Sequence, residues 1–364
     1  MLNTDIFNAN RLLWHGDKLA QWQGGLNPYP IAMDLHLTGA CNLRCPRCSG
    51  GERKGSLSTE LVYDLLRKLR EGDVRGIIFT GGGEPTMHQD FSKIIRYTKE
   101  LGFSIGLITN GSLLTGEIME TVAACNAWVR VSLDSYNEET YNKNYGVTGD
   151  NFQTVCKNIA KMVGIKKKLK SKCTVGVGYL VDDVVIPGMV SASKRVKEYG
   201  VDYIQFRHFE SFTSYPGRLS ALETKDFVRF DFEKFTLNLK ECRDLETDDF
   251  SVTCHEYKIE SIGEAVKGVP MKPPSYSGCH GSQFTGAITA TGDVCICCVL
   301  KGYPEYSFGN VKDKSFHEIW NSQRRKEVMK NLKITRDCVP FCRCDRMNSF
   351  LDPLTRKMMH VDFL

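Results

Sequence analysis

The chain contains 364 residues, of which 41% are hydrophobic and 25% charged, and its formal net charge is +5 at pH 7. This composition is ordinary for a globular protein, and the positive surplus is too small to indicate nucleic-acid binding. The sequence has no apolar run long enough to span a bilayer and no secretion signal, so we expect no membrane partner and a cytoplasmic location. Fifteen cysteines without an export signal favour metal-bound thiolates over disulfides.

From residue 33 onward, short β-rich runs alternate with amphipathic helical stretches. The predicted strands are 33–38, 76–80, 103–109, 128–133, 172–180 and 202–208. The predicted helices between them are 58–71, 90–101, 115–125, 151–163 and 187–199, and a later helix is predicted at 225–241. Successive βα units require parallel pairing with right-handed crossovers, so the residues predict either a doubly wound sheet or a partial barrel.

Several predicted strands are followed by residues that suit a ligand site. They are Cys41, Gly82, Gly83, Glu84, Asn110, Asp134 and Arg207. In parallel α/β folds the ligand site gathers at the C-terminal edge of the strands. We therefore expect these residues to converge, although they are far apart in the sequence.

Cys41, Cys45 and Cys48 follow the first predicted strand in a Cys-x3-Cys-x2-Cys spacing. A four-iron cluster needs four ligands, so three thiolates leave one iron free to bind a small molecule. The alternatives are zinc and buried free thiols. Structural zinc favours four ligands from two separated pairs, and the sequence places no second pair or histidine close to this loop.

This cysteine loop resembles that of the radical S-adenosylmethionine (SAM) family, whose core is a partial (β/α)6 barrel. The run Phe-Thr-Gly-Gly-Gly-Glu-Pro at 79–85 resembles the family's Gly-Gly-Glu motif, and Ser132-x-Asp134 resembles its ribose-binding strand end. The resemblance covers about residues 33–210. It implies an α/β fold with a partial (β/α)6 TIM barrel, a [4Fe–4S] cluster with an open iron site, and SAM.

The resemblance also implies residues that contact SAM. Gly82, Gly83 and Glu84 would receive its amino group, Ser132 and Asp134 its ribose, and Arg207 its carboxylate, with Asn110 as a further contact. Simpler roles remain open for three of them: a turn for Asn110, a cap for Asp134 and a surface ion pair for Arg207. The family usually has an aromatic residue before the third cysteine; here it is Arg47, whose guanidinium can stack on adenine.

The C-terminal cysteines resemble the SPASM/twitch extension of radical SAM enzymes. The matching features are the step from Gly292 to Cys297, the Gly-Asn-Val element at 309–311 and the Ile-Trp-Asn element at 319–321. The implied auxiliary ligands are Cys279, Cys297 and Cys342, with either Cys338 or Cys344 as the fourth. We expect one auxiliary [4Fe–4S] cluster, or two if the spare cysteines also bind; a zinc ribbon is the alternative.

The predicted organisation is an N-terminal extension (1–32), a barrel (33–210), a variable segment (211–275), a SPASM/twitch-like domain (276–348) and a tail (349–364).

The resemblance implies reductive cleavage of SAM to a 5′-deoxyadenosyl radical that abstracts a hydrogen atom from a substrate C–H bond. It also implies an electron donor of the flavodoxin or ferredoxin type. The 32 residues before the barrel are too few for a peptide-recognition domain, so we favour a small polar substrate, such as a sugar, aminocyclitol or nucleoside, that is oxidised or epimerised. The alternatives are a peptide-modifying maturase and, more remotely, a non-catalytic iron–sulfur or zinc protein.

Overall fold

The computed structural model describes residues 8–46, 48, 53–208, 231–255, 258, 260–261, 274–338 and 342–356. Arg47 and residues 225–230 of the predicted late helix lie outside the described residues. None of the described helices combines the length and apolar character that crossing a bilayer requires.

A single sheet organises the described residues. Its strands are β1 (Ala32–His36), β2 (Gly76–Thr80), β3 (Ser104–Thr109), β4 (Trp128–Ser132), β5 (Thr174–Val181), β6 (Tyr203–His208), β7 (Ser251–Cys254), β8 (Thr285–Ile288), β9 (Asp293–Cys295) and β10 (Ser307–Asn310). Their order across the sheet is β10-β9-β8-β1-β2-β3-β4-β5-β6-β7. All neighbours from β8 through β1 to β7 are parallel, and β9 is antiparallel to both of its neighbours, β8 and β10. The parallel part is the predicted partial barrel.

Helices cross over between the parallel strands and surround the C-terminal strands. They are α1 (Gly16–Gln23), α2 (Thr59–Glu71), α3 (Phe91–Glu100), α4 (Gly116–Cys125), α5 (Glu138–Tyr145), α6 (Asn151–Lys168), α7 (Met189–Tyr199), α8 (Phe232–Arg243), α9 (Phe316–Trp320), α10 (Gln323–Asn331), α11 (Ile334–Asp337) and α12 (Asp345–Leu351). The six predicted strands and the five predicted crossover helices are confirmed within a few residues, and α6 runs on to Lys168.

The helix α2 shows how local sequence builds these units. Ser58 accepts a hydrogen bond from the Leu61 amide at 3.2 Å, which satisfies one of the free N–H groups at the helix start. Leu65, Leu66 and Leu69 recur at helical spacing and are buried against the sheet.

Four strands were absent from the sequence-based prediction. β7 lies within the segment that had been expected to be variable, and it pairs in parallel with β6. β8 pairs in parallel with β1 at the opposite edge. The cysteine-rich C-terminal region is therefore joined to the barrel by continuous strand pairing.

Buried side chains along β1 alternate in character. Met33 and Leu35 belong to the apolar core that includes the helices, whereas Asp34 and His36 between them are also buried. Because successive side chains of a strand point to opposite faces, the polar residues form the inner wall of the barrel. The same inner wall carries Arg130 on β4.

Candidate active site and cysteine clusters

The loop of Cys41, Cys45 and Cys48 is held against the end of β2 by close backbone contacts. The Gly83 amide donates to the Thr38 carbonyl at 3.1 Å, and the Glu84 amide donates to the Ala40 carbonyl at 2.8 Å. A Cβ atom on Gly83 would lie 2.1 Å from the Ala40 oxygen. A residue with a side chain cannot replace Gly83 without moving the cysteine loop.

Glu84 connects the ends of β2 and β3. One carboxylate oxygen accepts hydrogen bonds from the Thr86 amide (3.2 Å), the Thr86 hydroxyl (2.7 Å) and the Thr109 hydroxyl (2.6 Å). The other oxygen accepts from the Asn110 amide at 2.8 Å. Burial raises the pKa of Glu84, and these donors oppose the rise. The carboxylate is thus fixed in orientation beside the cysteine loop, where it can meet a cationic amino group.

Asn110 ties the end of β3 to the cysteine loop. Its side-chain nitrogen donates to the side-chain oxygen of Asn42 at 3.0 Å, and the side-chain nitrogen of Asn42 donates to the Ser112 hydroxyl at 2.8 Å. The Asn110 oxygen accepts from the Ser112 amide at 2.9 Å. Asn110 therefore makes the predicted turn and also supports the loop; its proposed contact with SAM stays a prediction.

Asp134 has a structural role at the end of β4. One of its carboxylate oxygens accepts from the Leu180 amide at 2.7 Å, and the other accepts from the Tyr145 hydroxyl at 2.9 Å. The Tyr145 carbonyl in turn accepts from the Arg44 amide in the cysteine loop at 2.9 Å. Each Asp134 oxygen keeps a further acceptor site, so the predicted ribose contact is compatible with this anchoring.

The three N-terminal thiols lie within electrostatic reach of one another. Burial, followed by the neighbouring Cys48 and Cys41, raises the pKa of Cys45 to about 12. The Leu43 amide donates to the Cys41 sulfur at 3.5 Å, and Arg53 binds the Leu43 carbonyl. Three adjacent thiolates need a positively charged partner, and an amide that already points at sulfur suits a cluster ligand. These residues fit a [4Fe–4S] cluster.

Three other predicted SAM contacts lie on the strands of the barrel or directly after them. Ser132, half-buried, ends β4 close to Asp134. Arg207 is on β6, where it pairs with Leu180 of β5 and not with the strands that carry the cysteine loop. Gly82 lies in the loop between Gly83 and β2. The roles of these three residues stay predictions.

The five predicted auxiliary ligands form one group of neighbouring thiols. The Cys344 thiol hydrogen-bonds to Cys279 and lowers the pKa of Cys279. Burial raises the pKa values of Cys297, Cys338 and Cys342. The charges of neighbouring thiols add to this rise: Cys298 and Cys279 act on Cys297, Cys279 and Cys297 act on Cys342, and Cys342 and Cys279 act on Cys338. The Leu300 amide donates to the Cys297 sulfur at 3.3 Å. This thiol-only donor set with an amide-to-sulfur bond fits an iron–sulfur cluster.

The thiols are neighbours, but they do not surround a common metal position. Within the described ranges, no group of three or more His, Cys, Asp or Glu side chains is arranged to hold a metal ion.

Asn310 explains the Gly-Asn-Val element of the sequence. Its amide nitrogen donates to the Thr291 carbonyl at 3.1 Å and to the Asp293 carboxylate at 3.0 Å. Gly292 has φ +100°, and a Cβ atom there would lie 2.5 Å from the Asn310 side-chain oxygen. The turn that leads into β9 and Cys297 therefore requires glycine at 292 and asparagine at 310.

An ion pair links the auxiliary thiols to the barrel. Arg343, between Cys342 and Cys344, donates to the buried Asp34 carboxylate at 3.0 Å and to the Thr285 hydroxyl at 2.6 Å. The sequence-based prediction missed this pair, because nothing in either local sequence connects two residues 309 positions apart. It also missed Thr109 and Tyr145; the adjacency of Thr109 to Asn110 was the available signal for the first.

Two family models match the chain. The model described as the Radical SAM superfamily matches residues 35–185. The SPASM model, described as an iron-sulfur cluster-binding domain, matches residues 279–345. The first range contains the cysteine loop and Glu84, and the second begins at Cys279 and ends one residue after Cys344.

Similar proteins are found along most of the chain. An AdoMet-dependent heme synthase from Methanosarcina barkeri is 25% identical over 316 residues, covering 84% of this chain and 85% of that protein. The mycofactocin maturase MftC from Mycobacterium tuberculosis is 34% identical over 125 residues, covering 33% of this chain and 32% of that protein. The structure of Streptococcus suis SuiB bound to the precursor peptide SuiA aligns with a TM-score of 0.64 at 16% identity, covering 88% of this chain and 71% of SuiB.

The cofactors follow from the two domains. The first domain binds a [4Fe–4S] cluster and SAM, and the second binds auxiliary iron–sulfur. The chain is a member of the radical SAM superfamily that carries a C-terminal SPASM iron–sulfur domain.

Proposed function

We propose that this radical SAM enzyme abstracts a hydrogen atom from a C–H bond of a small polar substrate, which is then oxidised or epimerised. The observation that carries the proposal is the polar inner wall of the barrel. Arg130, Gln205, Asp34 and His36 are all buried there. Because buried polar groups bind polar partners, this wall suits a polar substrate better than an apolar one.

The protein residues would bind, orient and enclose the reactants. When bound, the reduced cluster and SAM supply a 5′-deoxyadenosyl radical. Cys41, Cys45 and Cys48 would hold the cluster, and Glu84 would orient the amino group of SAM next to Gly82 and Gly83. Ser132 and Asp134 would receive the ribose hydroxyls. The wall of the barrel would exclude water from the radical.

The auxiliary thiols support a route for electrons. Cys279, Cys297 and Cys342, with Cys338 or Cys344, would hold a cluster that exchanges an electron with the substrate radical. Cys48 is exposed, so an electron donor of the flavodoxin or ferredoxin type could approach the first cluster. The Arg343–Asp34 ion pair holds the auxiliary ligands against the substrate side of the barrel.

The relatives bear on the substrate. The heme synthase relative aligns with more than four-fifths of the chain and is named for a small-molecule product, which supports a small substrate. A second candidate is a peptide maturase, because the MftC relative has the higher identity over a third of the chain.

Anaerobic reconstitution followed by incubation with SAM and dithionite tests the proposal. We expect 5′-deoxyadenosine in amounts that depend on Cys41, Cys45 and Cys48. Deuterated candidate substrates would then transfer label into 5′-deoxyadenosine, and mass spectrometry would detect it. Absence of 5′-deoxyadenosine from protein with an intact first cluster would refute the proposal, and label transfer only from a peptide would favour the maturase.

A further inference from the structure

The inner wall of the barrel at β4, β5 and β6 is shaped by two glycines. Gly176 and Gly178 of β5 pair with Arg130 and Ser132 of β4. A Cβ atom on Gly178 would lie 3.2 Å from the Arg130 side chain, so that side chain crosses directly over the strand. Arg130 then donates to the Gln205 side chain on β6 at 2.8 Å. A buried cation is thereby placed between β4 and β6.

Two polar groups beside Arg130 lack a hydrogen-bond partner among the residues that the structure describes. Tyr203 is fully buried, and its hydroxyl is the first of them. The Nε atom of Arg207 is also buried without a partner, and Arg207 makes no hydrogen bond or ion pair to the residues that the structure describes. Both residues interact electrostatically with Arg130. Buried donors without acceptors are costly, and here they gather around one point of the wall.

The nearby carboxylates are already engaged elsewhere. Asp34 is paired with Arg343 at 3.0 Å. Asp134 accepts from the Leu180 amide and the Tyr145 hydroxyl. The charges of Arg207 and Arg130 also act on Asp134.

The protonation states of Arg130 and Tyr203 suit the binding of an anion. Burial, followed by the charge of Arg207, lowers the pKa of Arg130 to about 9, so it is still a cation at neutral pH. Burial raises the pKa of Tyr203 to about 12, so its hydroxyl keeps the proton that it would donate. Two guanidinium groups and a phenol are matched donors for a carboxylate.

We propose that Arg130, Tyr203 and Arg207 form a subsite that binds a carboxylate of the substrate, so that the substrate class is a small carboxylic acid. The inference rests on the proposed hydrogen-abstraction function and names the substrate class for that same site. It gives Arg207 a different partner from the SAM carboxylate that the sequence resemblance suggested. Arg207 and Tyr203 lie on the same face of β6, and Arg207 acts electrostatically on Arg130 of β4, so the three side chains form one group of donors.

The test uses the reconstituted holoenzyme with saturating SAM and simple probes: acetate, succinate and the neutral succinamide. We expect acetate or succinate, but not succinamide, to raise the thermal midpoint, because a ligand of the native state stabilises it. Tyr203→Phe and Arg207→Gln should each weaken this binding by about tenfold or more. Arg67→Gln, at an exposed ion pair with Asp64, is the matched control and should change nothing.

The outcomes separate the possible sources of the carboxylate. Tyr203→Phe removes a hydroxyl that has no partner, so it should fold normally and keep the wild-type affinity for SAM. If Arg207→Gln and Tyr203→Phe instead weaken SAM binding and leave the effect of succinate unchanged, the subsite belongs to SAM and the proposal is overturned. It is also overturned if neither carboxylate stabilises the wild type. Failure to form 5′-deoxyadenosine would count against the proposed function alone, since the midpoint shift does not depend on turnover.

Discussion

The N-terminal and C-terminal cysteine sets differ in how the fold holds them. Cys41, Cys45 and Cys48 lie on a loop whose backbone is bonded to the ends of β2 and α5, and Cys48 is exposed. The C-terminal thiols are buried or half-buried and lie next to one another.

The difference indicates two kinds of chemistry. The first loop places three thiols at the C-terminal edge of the strands, beside the fixed Glu84 carboxylate. A cluster held by three thiolates can therefore accept a further ligand. The second set offers five predicted ligands for a cluster's four positions, so its cluster would need no outside ligand and would suit electron transfer.

The largest expected effect comes from deleting one cysteine set at a time. Replacing Cys41, Cys45 and Cys48 with alanine should abolish 5′-deoxyadenosine formation and leave about four irons per chain in the auxiliary site. Replacing Cys279, Cys297 and Cys342 should remove the auxiliary iron while SAM cleavage persists. Iron and sulfide analysis with product chromatography measures both. SAM cleavage by the first variant would contradict the assignment of SAM cleavage to the N-terminal cysteines.

The Asp34–Arg343 pair connects the two regions, and its loss should be the next largest effect. Asp34→Asn leaves the Arg343 charge in a largely buried position, which costs about 3–5 kcal/mol in the free energy of unfolding. Anaerobic urea titration measures this change in the free energy of unfolding.

Asp64→Asn is the control for this substitution, because Asp64 forms an exposed pair with Arg67 at 3.0 Å. It should cost less than about 1 kcal/mol. Equal costs for the two variants would show that the buried pair does not couple the regions.

Gly83→Ala should harm the first site alone. The added methyl group meets the Ala40 carbonyl and displaces the cysteine loop, and a displacement of this size lowers the rate of SAM cleavage by roughly 10²-fold. Gly116→Ala is the matched control, because no heavy atom lies within 4 Å of its added Cβ. A normal rate for Gly83→Ala would contradict the close backbone contact.

Two asparagines provide the smallest and most selective comparison. Asn110→Ala removes bonds at the first loop, and Asn310→Ala removes bonds at the turn before Cys297. Each should cost about 1–2 kcal/mol locally. We expect each variant to lose iron faster from its own site. Electron paramagnetic resonance (EPR) spectra recorded during exposure to a chelator measure this loss. Loss from both sites in either variant would show that the two regions are not independent.

Local pattern was enough to predict the parallel strands, the crossover helices and both cysteine sets. β-Branched runs, helical periodicity and cysteine spacing are all properties of short segments. β7 and β8 were missed because each is only four residues long, which is too short to show a clear alternating pattern.

Side-chain partners across the barrel could not be predicted either. Arg130 and Tyr203 sit inside strands and differ from core positions only when the fold places them on one wall. Asp134 matched a motif, but its bonds to Leu180 and Tyr145 depend on the β4–β5 pairing and on α5.

The most direct test of the account is an EPR experiment on the variant that lacks Cys279, Cys297 and Cys342. This protein should hold the first cluster alone, and its reduced spectrum should change when SAM is added, because SAM binds the iron that no thiolate occupies. A spectrum that SAM leaves unchanged, in protein with a complete first cluster, would contradict the central claim.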